Sequence, residues 1–273
     1  MYHSVIFGDK NTWDDWQLVP QTRPLFLQPT VKVKTVDIPG GDGVIDLTES
    51  LTGYPVYGNR TGSIDFIVVN DLYEPVSSHE EWFKVYSRIM NYIHGQKMRA
   101  YLEDDPDWYY EGRFSVGSWK SGKNYSEITI NYDINPYKWS KKTFREEAEE
   151  SGNWLWDPFS FVDGVIWSHF NDITVTAADG WKKYDFKTDL IGRAPVCPVF
   201  DIEIGNGATS LNIRFVNDTL GIEETKGITE DGLYQFDDWI FYGDVEVWLR
   251  CNGIVGPHTS YAIVNLDFRR GSL

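Results

Sequence analysis

The sequence predicts a mainly β protein with two domains, and three observations favour this fold class. Aromatic residues, which are enriched in strands, are abundant: 12 Trp, 16 Tyr and 15 Phe. Turn-forming residues, including 24 Gly and 12 Pro, separate short runs of strand-like sequence. The length of 273 residues exceeds the usual size of a single domain.

The first half of the chain contains five strand-like runs. In the last of them Ile128 and Ile130 alternate with Thr129 and Asn131, which is the pattern of a strand with one buried face. The five runs are Val31–Val36, Ser63–Asn70, Lys97–Leu102, Tyr109–Gly117 and Asn124–Asp133.

One helix is predicted between Ser78 and His94. Ser78 precedes Glu81 by three residues, as in a capping box, and Gly95 is suited to the left-handed conformation that ends a helix. A lone helix among strands buries its apolar stripe on its own sheet, and a surface for a partner is the alternative use. The residues of the stripe are Trp82, Val85, Tyr86, Ile89 and Ile93.

A change of character at Tyr137–Asn153 predicts a domain boundary or hinge. Alternation is lost there, and Lys141 and Lys142 are followed by four glutamates within residues 146–150. We therefore expect one domain at 1–140 and a second at 141–273. Beyond Asn153 the sequence contains short strand-like runs and no helical signal, which favours a β-sandwich or jelly roll for the second domain. These runs are Gly164–Trp167, Ile173–Thr176, Val199–Ile204, Ser210–Val216, Leu233–Phe236, Asp244–Leu249 and Ser260–Phe268.

The charge excludes several kinds of partner. The net charge is −16, and both domains are acidic: 1–140 has 13 basic and 19 acidic residues, and 141–273 has 12 and 22. Specific nucleic-acid binding and docking on an anionic membrane both need clustered Lys and Arg. The N-terminus has no signal-peptide pattern and no run approaches a membrane helix, so we expect synthesis in a cytoplasm.

No catalytic motif is recognisable, and we expect neither enzyme activity nor a cofactor or metal. The chain lacks a nucleophile elbow, a phosphate-binding loop and a dinucleotide-binding glycine motif. Cys197 and Cys251 are interpreted as buried free thiols, since no zinc or disulfide pattern surrounds them. The acidic run Glu103–Asp107 is interpreted as a solvated turn, because its spacing does not fit a calcium loop.

The N-terminal sequence resembles the opening of phage distal tail (Dit) proteins. That family has a Gly-x-x-Asn-Thr-Trp-x-Asp-Trp stretch, then a Pro and an Arg-Pro pair, and this chain has one extra residue between the two tryptophans. The resemblance continues through Val36–Thr48, Gly58–Arg60, Phe66 and the helix to Trp139, about half of the chain. Its motif residues are Gly8, Asn11, Thr12, Trp13, Trp16, Pro20, Arg23 and Pro24.

This resemblance implies an N-terminal β-sandwich with one helix that closes into a hexameric ring. The ring would be a baseplate hub at the tail tip of a phage or prophage virion, between the tail tube protein and the tail-associated lysin, fibre or receptor-binding protein. DNA would pass through its lumen without specific binding. The motif residues become candidate assembly residues, with Trp13 and Trp16 as interface aromatics. Folding of both tryptophans onto their own sandwich is the alternative.

The second half is similar in character to the galectin-like domain that Dit proteins carry, which raises the question of sugar binding. Sugar-binding galectins use a His-x-Asn-x-Arg strand, of which this chain keeps Asn212 and Arg214, with Ser210 in place of the His. Their Trp and Glu-x-Arg elements are not recognisable here. A carbohydrate-binding module that aids host-surface attachment is therefore the alternative function, although most strand aromatics are expected in the core.

Overall fold

The computed structural model is mainly β, in agreement with the prediction. It describes residues 3–50, 53–68, 79–121, 125–151, 161–162, 165–166, 172–187, 195–217, 222–236, 239 and 244–273. The chain divides into two compact units, Met1–Trp139 and Ser140–Ser272. Within the described ranges, every helix is too short or too polar to cross a membrane.

Unit 1 is built on one curled antiparallel sheet with the order β3-β6-β9-β8-β7-β1-β2. Thr12 joins the two ends of this order, because its N–H donates to Val5 O over 2.9 Å and its carbonyl accepts from Leu18 N–H over 2.8 Å. The elements of this unit are β1 (Val5–Phe7), β2 (Lys10–Asn11), β3 (Leu18–Pro20), β4 (Thr35–Asp37), β5 (Val44–Asp46), β6 (Arg60–Val68), α1 (His79–Ile93), β7 (Gln96–Leu102), β8 (Asp105–Ser121) and β9 (Ser126–Ile134).

The predicted alternation of β9 is confirmed, since Ile128 and Ile130 are fully buried. The apolar stripe of α1 also packs on its own sheet: Ile89 and Ile93 are fully buried in the core of unit 1. Gly95 ends the helix with a φ of +75°. Ser78 and the side chains of Glu81 and Trp82 lie outside the described residues, so the capping box stays a prediction.

Unit 2 contains two antiparallel sheets with a shared core. In the first, β15 pairs with β18 and β20, and β20 also pairs with β13 and β10; the second has the order β14-β19-β16-β17. Phe200 of the first sheet packs edge-on against Phe215 of the second, with ring centroids 5.8 Å apart. The strands are β10 (Lys138–Thr143, crossing the division between the units), β11 (Phe161–Val162), β12 (Val165–Ile166), β13 (Ile173–Thr176), β14 (Lys182–Lys187), β15 (Val196–Gly205), β16 (Ser210–Asn217), β17 (Ile222–Ile228), β18 (Gly232–Gln235), β19 (Asp244–Asn252) and β20 (Tyr261–Ser272).

The stretch Tyr137–Asn153, in which the alternation of the sequence is lost, contains two regular elements. β10 occupies its first part, and a second helix, α2 (Phe144–Ser151), follows directly. Thr143 Oγ1 accepts from the Glu146 N–H over 3.3 Å, and the Glu146 carboxylate accepts from the Thr143 N–H over 2.8 Å. This reciprocal pair is a capping box, and it explains why so acidic a segment begins a helix.

Candidate assembly surfaces

The N-terminal motif forms a tight turn that is held by its own side chains. Asn11 Oδ1 accepts hydrogen bonds from the Trp13 N–H (2.8 Å) and the Asp14 N–H (3.3 Å). The Asn11 N–H in turn donates to Asp15 Oδ2 over 2.8 Å. Asparagine is suited to this position because its short amide side chain satisfies backbone N–H groups one turn further on.

Two further motif residues attach this turn to unit 1. Thr12 is fully buried, and its Oγ1 accepts from the Val5 N–H over 2.9 Å. Gly8 adopts a φ of +62°, and a Cβ there would lie 2.5 Å from the Tyr92 hydroxyl oxygen. That hydroxyl contacts the Asp9 carboxylate and accepts from the Asp9 N–H over 3.1 Å. Both the conformation and the close approach therefore require glycine at this position.

The two tryptophans of the motif differ in environment. Trp16 is 6% exposed and packs edge-on against Tyr92, with ring centroids 5.9 Å apart, so it belongs to the core of unit 1. Trp13 is half-buried. The alternative that the tryptophans fold onto their own sandwich therefore describes Trp16, and Trp13 remains the candidate for an interface.

The remaining motif residues lie at or near the surface, and one of them, Arg23, contacts the acidic run. Pro20 is half-buried at the end of β3, and Arg23 and Pro24 are exposed. Arg23 forms an ion pair with Asp104 over 3.5 Å, and His3 Nδ1 lies 2.6 Å from the same carboxylate. Glu103 and Asp104 form the turn between β7 and β8, so the predicted turn is confirmed for these two residues, whereas Asp105–Asp107 of the acidic run belong to β8.

No group of three or more potential metal ligands occurs within the described ranges of the chain. Cys197 and Cys251 are both buried free thiols, which confirms the prediction for them. Burial raises the pKa of the Cys251 thiol, because the thiolate is poorly solvated there.

A two-stranded hairpin extends from unit 1 without joining its sheet. Among the strands that the structure describes, β4 pairs only with β5, with Val36 opposite Ile45, and the two strands form a separate two-stranded sheet. The hairpin is attached through backbone hydrogen bonds at its base, from Lys32 N–H to Val56 O and from Gly58 N–H to Thr30 O, both 2.8 Å long. We call residues 30–50 the arm.

Large apolar side chains of the arm are exposed on both faces of its hairpin. Val36 and Ile45 lie on one face and Val44 on the other, because side chains alternate along a strand. All residues from 30 to 46 are exposed. The exposed fractions of the apolar ones are 45% for Val31, 66% for Val33, 45% for Val36, 39% for Ile38, 53% for Val44 and 50% for Ile45.

A second apolar surface lies where α1 meets β8. Phe83 is 56% exposed and Trp119 is 39% exposed, and their ring centroids are 6.4 Å apart. Tyr86 packs against both rings, at 6.2 Å from Phe83 and 5.2 Å from Trp119. We call Phe83, Tyr86 and Trp119 the aromatic patch.

The arm and the aromatic patch carry opposite charge. Within the arm, four acidic residues outnumber Lys32 and Lys34, both of which lie in its first five residues. Lys84, Arg88 and Lys120 are exposed beside the residues of the patch, and residues 83–94 include no acidic residue, although Glu80 and Glu81 precede them in the sequence. One surface is thus apolar and acidic and the other aromatic and basic.

In unit 2, Asn212 and Arg214 lie on the outer face of the second sheet, on β16. Their neighbours on β17, β14 and β19 form a grid around Trp248, and we call this surface the Trp248 face. One cross-strand row joins Lys183, Trp248 and Arg214. The flanking rows are Glu246, Val216 and Glu223 on one side and Arg250, Asn212 and Gly227 on the other.

Sequence reasoning missed the tryptophan and the glutamates beside Asn212 and Arg214. The signal that was available is the alternation of Glu246, Trp248 and Arg250 with the buried Val247 and Leu249 along β19. Alternation shows that these polar side chains share one face, but only the register of β19 with β16 places them beside Arg214.

Comparison with known proteins finds similarity among solved structures. No family model and no curated protein matches the chain. Among solved structures, this chain is similar to the SPP1 Dit (gp 19.1) protein, described as a paradigm of hub adsorption apparatus in phages that infect Gram-positive bacteria. The match covers 100% of both chains, with 13% sequence identity and a TM-score of 0.47.

Proposed function

We propose that the chain is a structural hub protein of a phage tail, and that copies of it close into a ring through unit 1. The observation that carries this proposal is the apolar arm, in which residues 30–46 are exposed and whose strands join no other sheet among the described residues. An isolated two-stranded hairpin is marginally stable in water, and large exposed apolar patches mark association sites. The N-terminal motif, which resembles that of Dit proteins, supports the same function.

The occupant of the arm is a second copy of this chain. Ring closure needs heterologous contacts, in which one surface of a subunit binds a different surface of the next. The acidic, apolar arm and the basic aromatic patch are such a pair, since they complement each other in charge and both offer apolar area. A ring follows when each subunit gives its arm to one neighbour and its patch to the other.

The motif turn contributes the half-buried Trp13 to this interface. Asn11 and Asp15 fix the turn, so the Trp13 ring is presented without a large loss of conformational freedom on binding. Arg23 and Pro24 lie on the exposed side of the same region. The other motif residues do not contact the neighbouring subunit in this proposal; they stabilise the fold of unit 1. They are Gly8, Thr12, Trp16 and Pro20.

Within the virion, the ring joins the tail tube protein to the adsorption apparatus at the tip. Its acidic charge keeps DNA from adhering as it passes through the lumen, because carboxylates repel phosphates. Duplex DNA therefore elutes separately from assembled rings at physiological salt. Co-elution of the two would contradict this part of the proposal.

The test is the mass in solution across a concentration series, with negative-stain images of the same samples. We expect hexameric rings with a central hole from the wild-type chain. Val36→Ser/Ile45→Ser in the arm and Phe83→Ser in the patch should each yield folded monomers. Ile254→Ser is the matched control, since Ile254 is also apolar and 62% exposed but lies in unit 2, and it should assemble.

A mixture of the arm variant and the patch variant tests the direction of the contact. The arm variant keeps its aromatic patch, and the patch variant keeps its arm. The mixture should therefore form heterodimers, in which the intact arm of one variant binds the intact patch of the other, and no closed rings. Homodimers of either variant would contradict the heterologous contact. A wild-type chain that stays monomeric at every concentration would contradict closure without a partner.

A further inference from the structure

Helix α2 begins over a carboxyl group on the outer face of the first sheet of unit 2. Leu266 and Phe268 of β20 are buried in the core of the unit, so Asp267 between them lies on the opposite face. Its cross-strand partner there is Val199, which is only 2% exposed, whereas Asp201 on the same face of β15 is exposed. The outer face is therefore covered beside Asp267 and open further along.

The first turn of α2 is attached to this carboxyl group. The Arg145 N–H donates to Asp267 Oδ1 over 3.4 Å, and the Phe268 N–H donates to the same oxygen over 2.7 Å. The Thr143 hydroxyl also donates to the carboxyl group, while its oxygen accepts from the Glu146 N–H. The residues that begin the helix are thus the ones that bind Asp267.

Helix α2 has little stability of its own. Its eight residues are fewer than an isolated helix needs in water. Four of them are glutamates, and Glu146 and Glu150 are one helical turn apart, where like charges repel. Its other attachment is Glu147, which accepts from Ser140 Oγ over 3.1 Å and pairs with Arg270. The helix therefore depends on its contacts with β10 and β20.

The charged side chains around Asp267 do not offset its burial. Arg269, two residues further on the same face of β20, donates to the backbone carbonyls of Ser140 and Lys141. Burial raises the pKa of Asp267 to about 6, because it outweighs the hydrogen bonds and the favourable charge of Arg145. The charged and titratable side chains on the surrounding elements are Arg269 on β20, Cys197 and Asp201 on β15, Lys141 on β10, and Arg145, Glu146 and Glu147 on α2.

We propose that α2 is a pH-responsive strap: its first turn stays docked on β20 while Asp267 is protonated and detaches when Asp267 is ionised. The docked state holds the proton more tightly than the detached state, in which water solvates the carboxylate, so acid favours docking. Docking is complete below about pH 4 and weakens as the pH rises through about 6. Detachment uncovers Val199 and the adjacent part of the outer face. The strap lies within unit 2 and does not depend on ring closure.

The experiment is hydrogen–deuterium exchange of the full-length chain between pH 5 and 7, corrected for the intrinsic pH dependence of amide exchange. We expect the protection of the α2 amides to fall roughly tenfold across this range, given a pKa of about 6 in the docked state and about 4 in the detached state. The amides of α1, in unit 1, should keep constant protection. Asp267→Asn cannot ionise, so its α2 amides should remain as protected at pH 7 as at pH 5.

Low concentrations of guanidinium distinguish detachment of the strap from unfolding of the whole unit. Exchange through a local opening is insensitive to denaturant, whereas exchange through global unfolding is accelerated by it. We therefore expect low guanidinium to speed exchange in β16, a core strand of unit 2, and to leave exchange in α2 unchanged. An equal acceleration in both elements would overturn the proposal.

Asp201→Asn is the matched control, because it removes an exposed carboxylate from the same face of the sheet, and its α2 amides should behave as in the wild-type chain. The melting temperature of each variant establishes folding. Constant protection of α2 in the wild-type chain between pH 5 and 7 would contradict the strap, as would the same tenfold fall in Asp267→Asn. The pH series of the wild-type chain decides the question even where Asp267→Asn does not fold.

Discussion

The Arg60 guanidinium donates a hydrogen bond from Nε to the carbonyl oxygen of Pro136 over 2.8 Å, although the two residues are far apart in sequence. Arg60 also donates from Nη1 to Leu27 O over 3.2 Å, and its Cζ lies 5.5 Å from the Tyr110 ring centroid. It is only 3% exposed, and this burial lowers its pKa. A buried arginine thus binds two chain segments of unit 1 through their backbones.

Replacing Arg60 should destabilise unit 1. Arg60→Met leaves the Pro136 and Leu27 carbonyls without their donor, so we expect a loss of about 2–3 kcal/mol in the free energy of unfolding. Denaturant unfolding measures it. Arg23→Gln is the control, since the Arg23 side chain is 57% exposed and its ion pair should contribute less than about 1 kcal/mol. Equal effects of the two substitutions would contradict the assigned role of Arg60.

The two motif tryptophans should separate folding from assembly. Trp16→Ala removes a core side chain packed on Tyr92, and we expect it to cost about 3–5 kcal/mol of stability. Trp13→Ala should leave the melting temperature nearly unchanged and weaken ring formation. Thermal unfolding and mass in solution, measured on both variants, check this. A Trp13→Ala chain that assembles normally would exclude Trp13 from the interface.

Stability should depend on pH through Asp267. Burial raises the pKa of this carboxyl to about 6, against the weaker opposing effect of hydrogen bonds from Thr143 and the Phe268 and Arg145 N–H groups. Because the folded state holds this proton more tightly than the unfolded state, its contribution to stability is present at low pH. This contribution to the free energy of unfolding, on the order of 2–3 kcal/mol, is lost as the pH rises from about 4 to about 6.

Asp267→Asn removes this titration and should flatten the pH dependence of the melting temperature between pH 4 and 7. At pH 7 the variant should be more stable than the wild-type chain, because the asparagine accepts similar hydrogen bonds without a buried charge. An unchanged slope across this range would show that other groups dominate it.

The capping box of α2 is testable in the same region. Thr143→Ala removes the acceptor for the Glu146 N–H, and we expect a loss of about 1 kcal/mol. Thr143→Ser keeps the hydroxyl and should retain most of the stability. Circular dichroism with denaturant unfolding of both variants measures the difference, and equal losses would mean that the methyl group of Thr143 matters more than its hydroxyl.

The elements that the sequence predicted correctly are those with a clear hydrophobic pattern, in which the apolar residues lie on one face that packs on a core. The alternation of β9 and the helical stripe of α1 predicted both elements to within a few residues, because one face of each is buried. β14 and β17 were missed, because charged residues outnumber apolar residues in both strands. Their places are set by the register with β19 and β16, a long-range property that no local pattern contains.

The arm illustrates a different limit of sequence reasoning. Val31 and Val33 alternate with Lys32 and Lys34 as they would in a strand packed on a core, and the sequence run Val31–Val36 was interpreted as a strand. In the structure only Thr35–Asp37 forms that strand, and these valines are exposed. Valine and isoleucine have the same pattern whether the apolar surface that they pack on belongs to their own domain or to another subunit.

The exposed arm also has a consequence for the life of an unassembled subunit. Before a neighbour covers them, residues 30–46 present accessible backbone and apolar side chains, which are what cytoplasmic proteases and chaperones recognise. If the chain assembles as proposed, subunits made in excess of the growing tails would be cleaved in this segment, while those within a completed ring would be protected. The stoichiometry of tail tips would then be corrected by degradation of surplus chains as well as by the rate of synthesis.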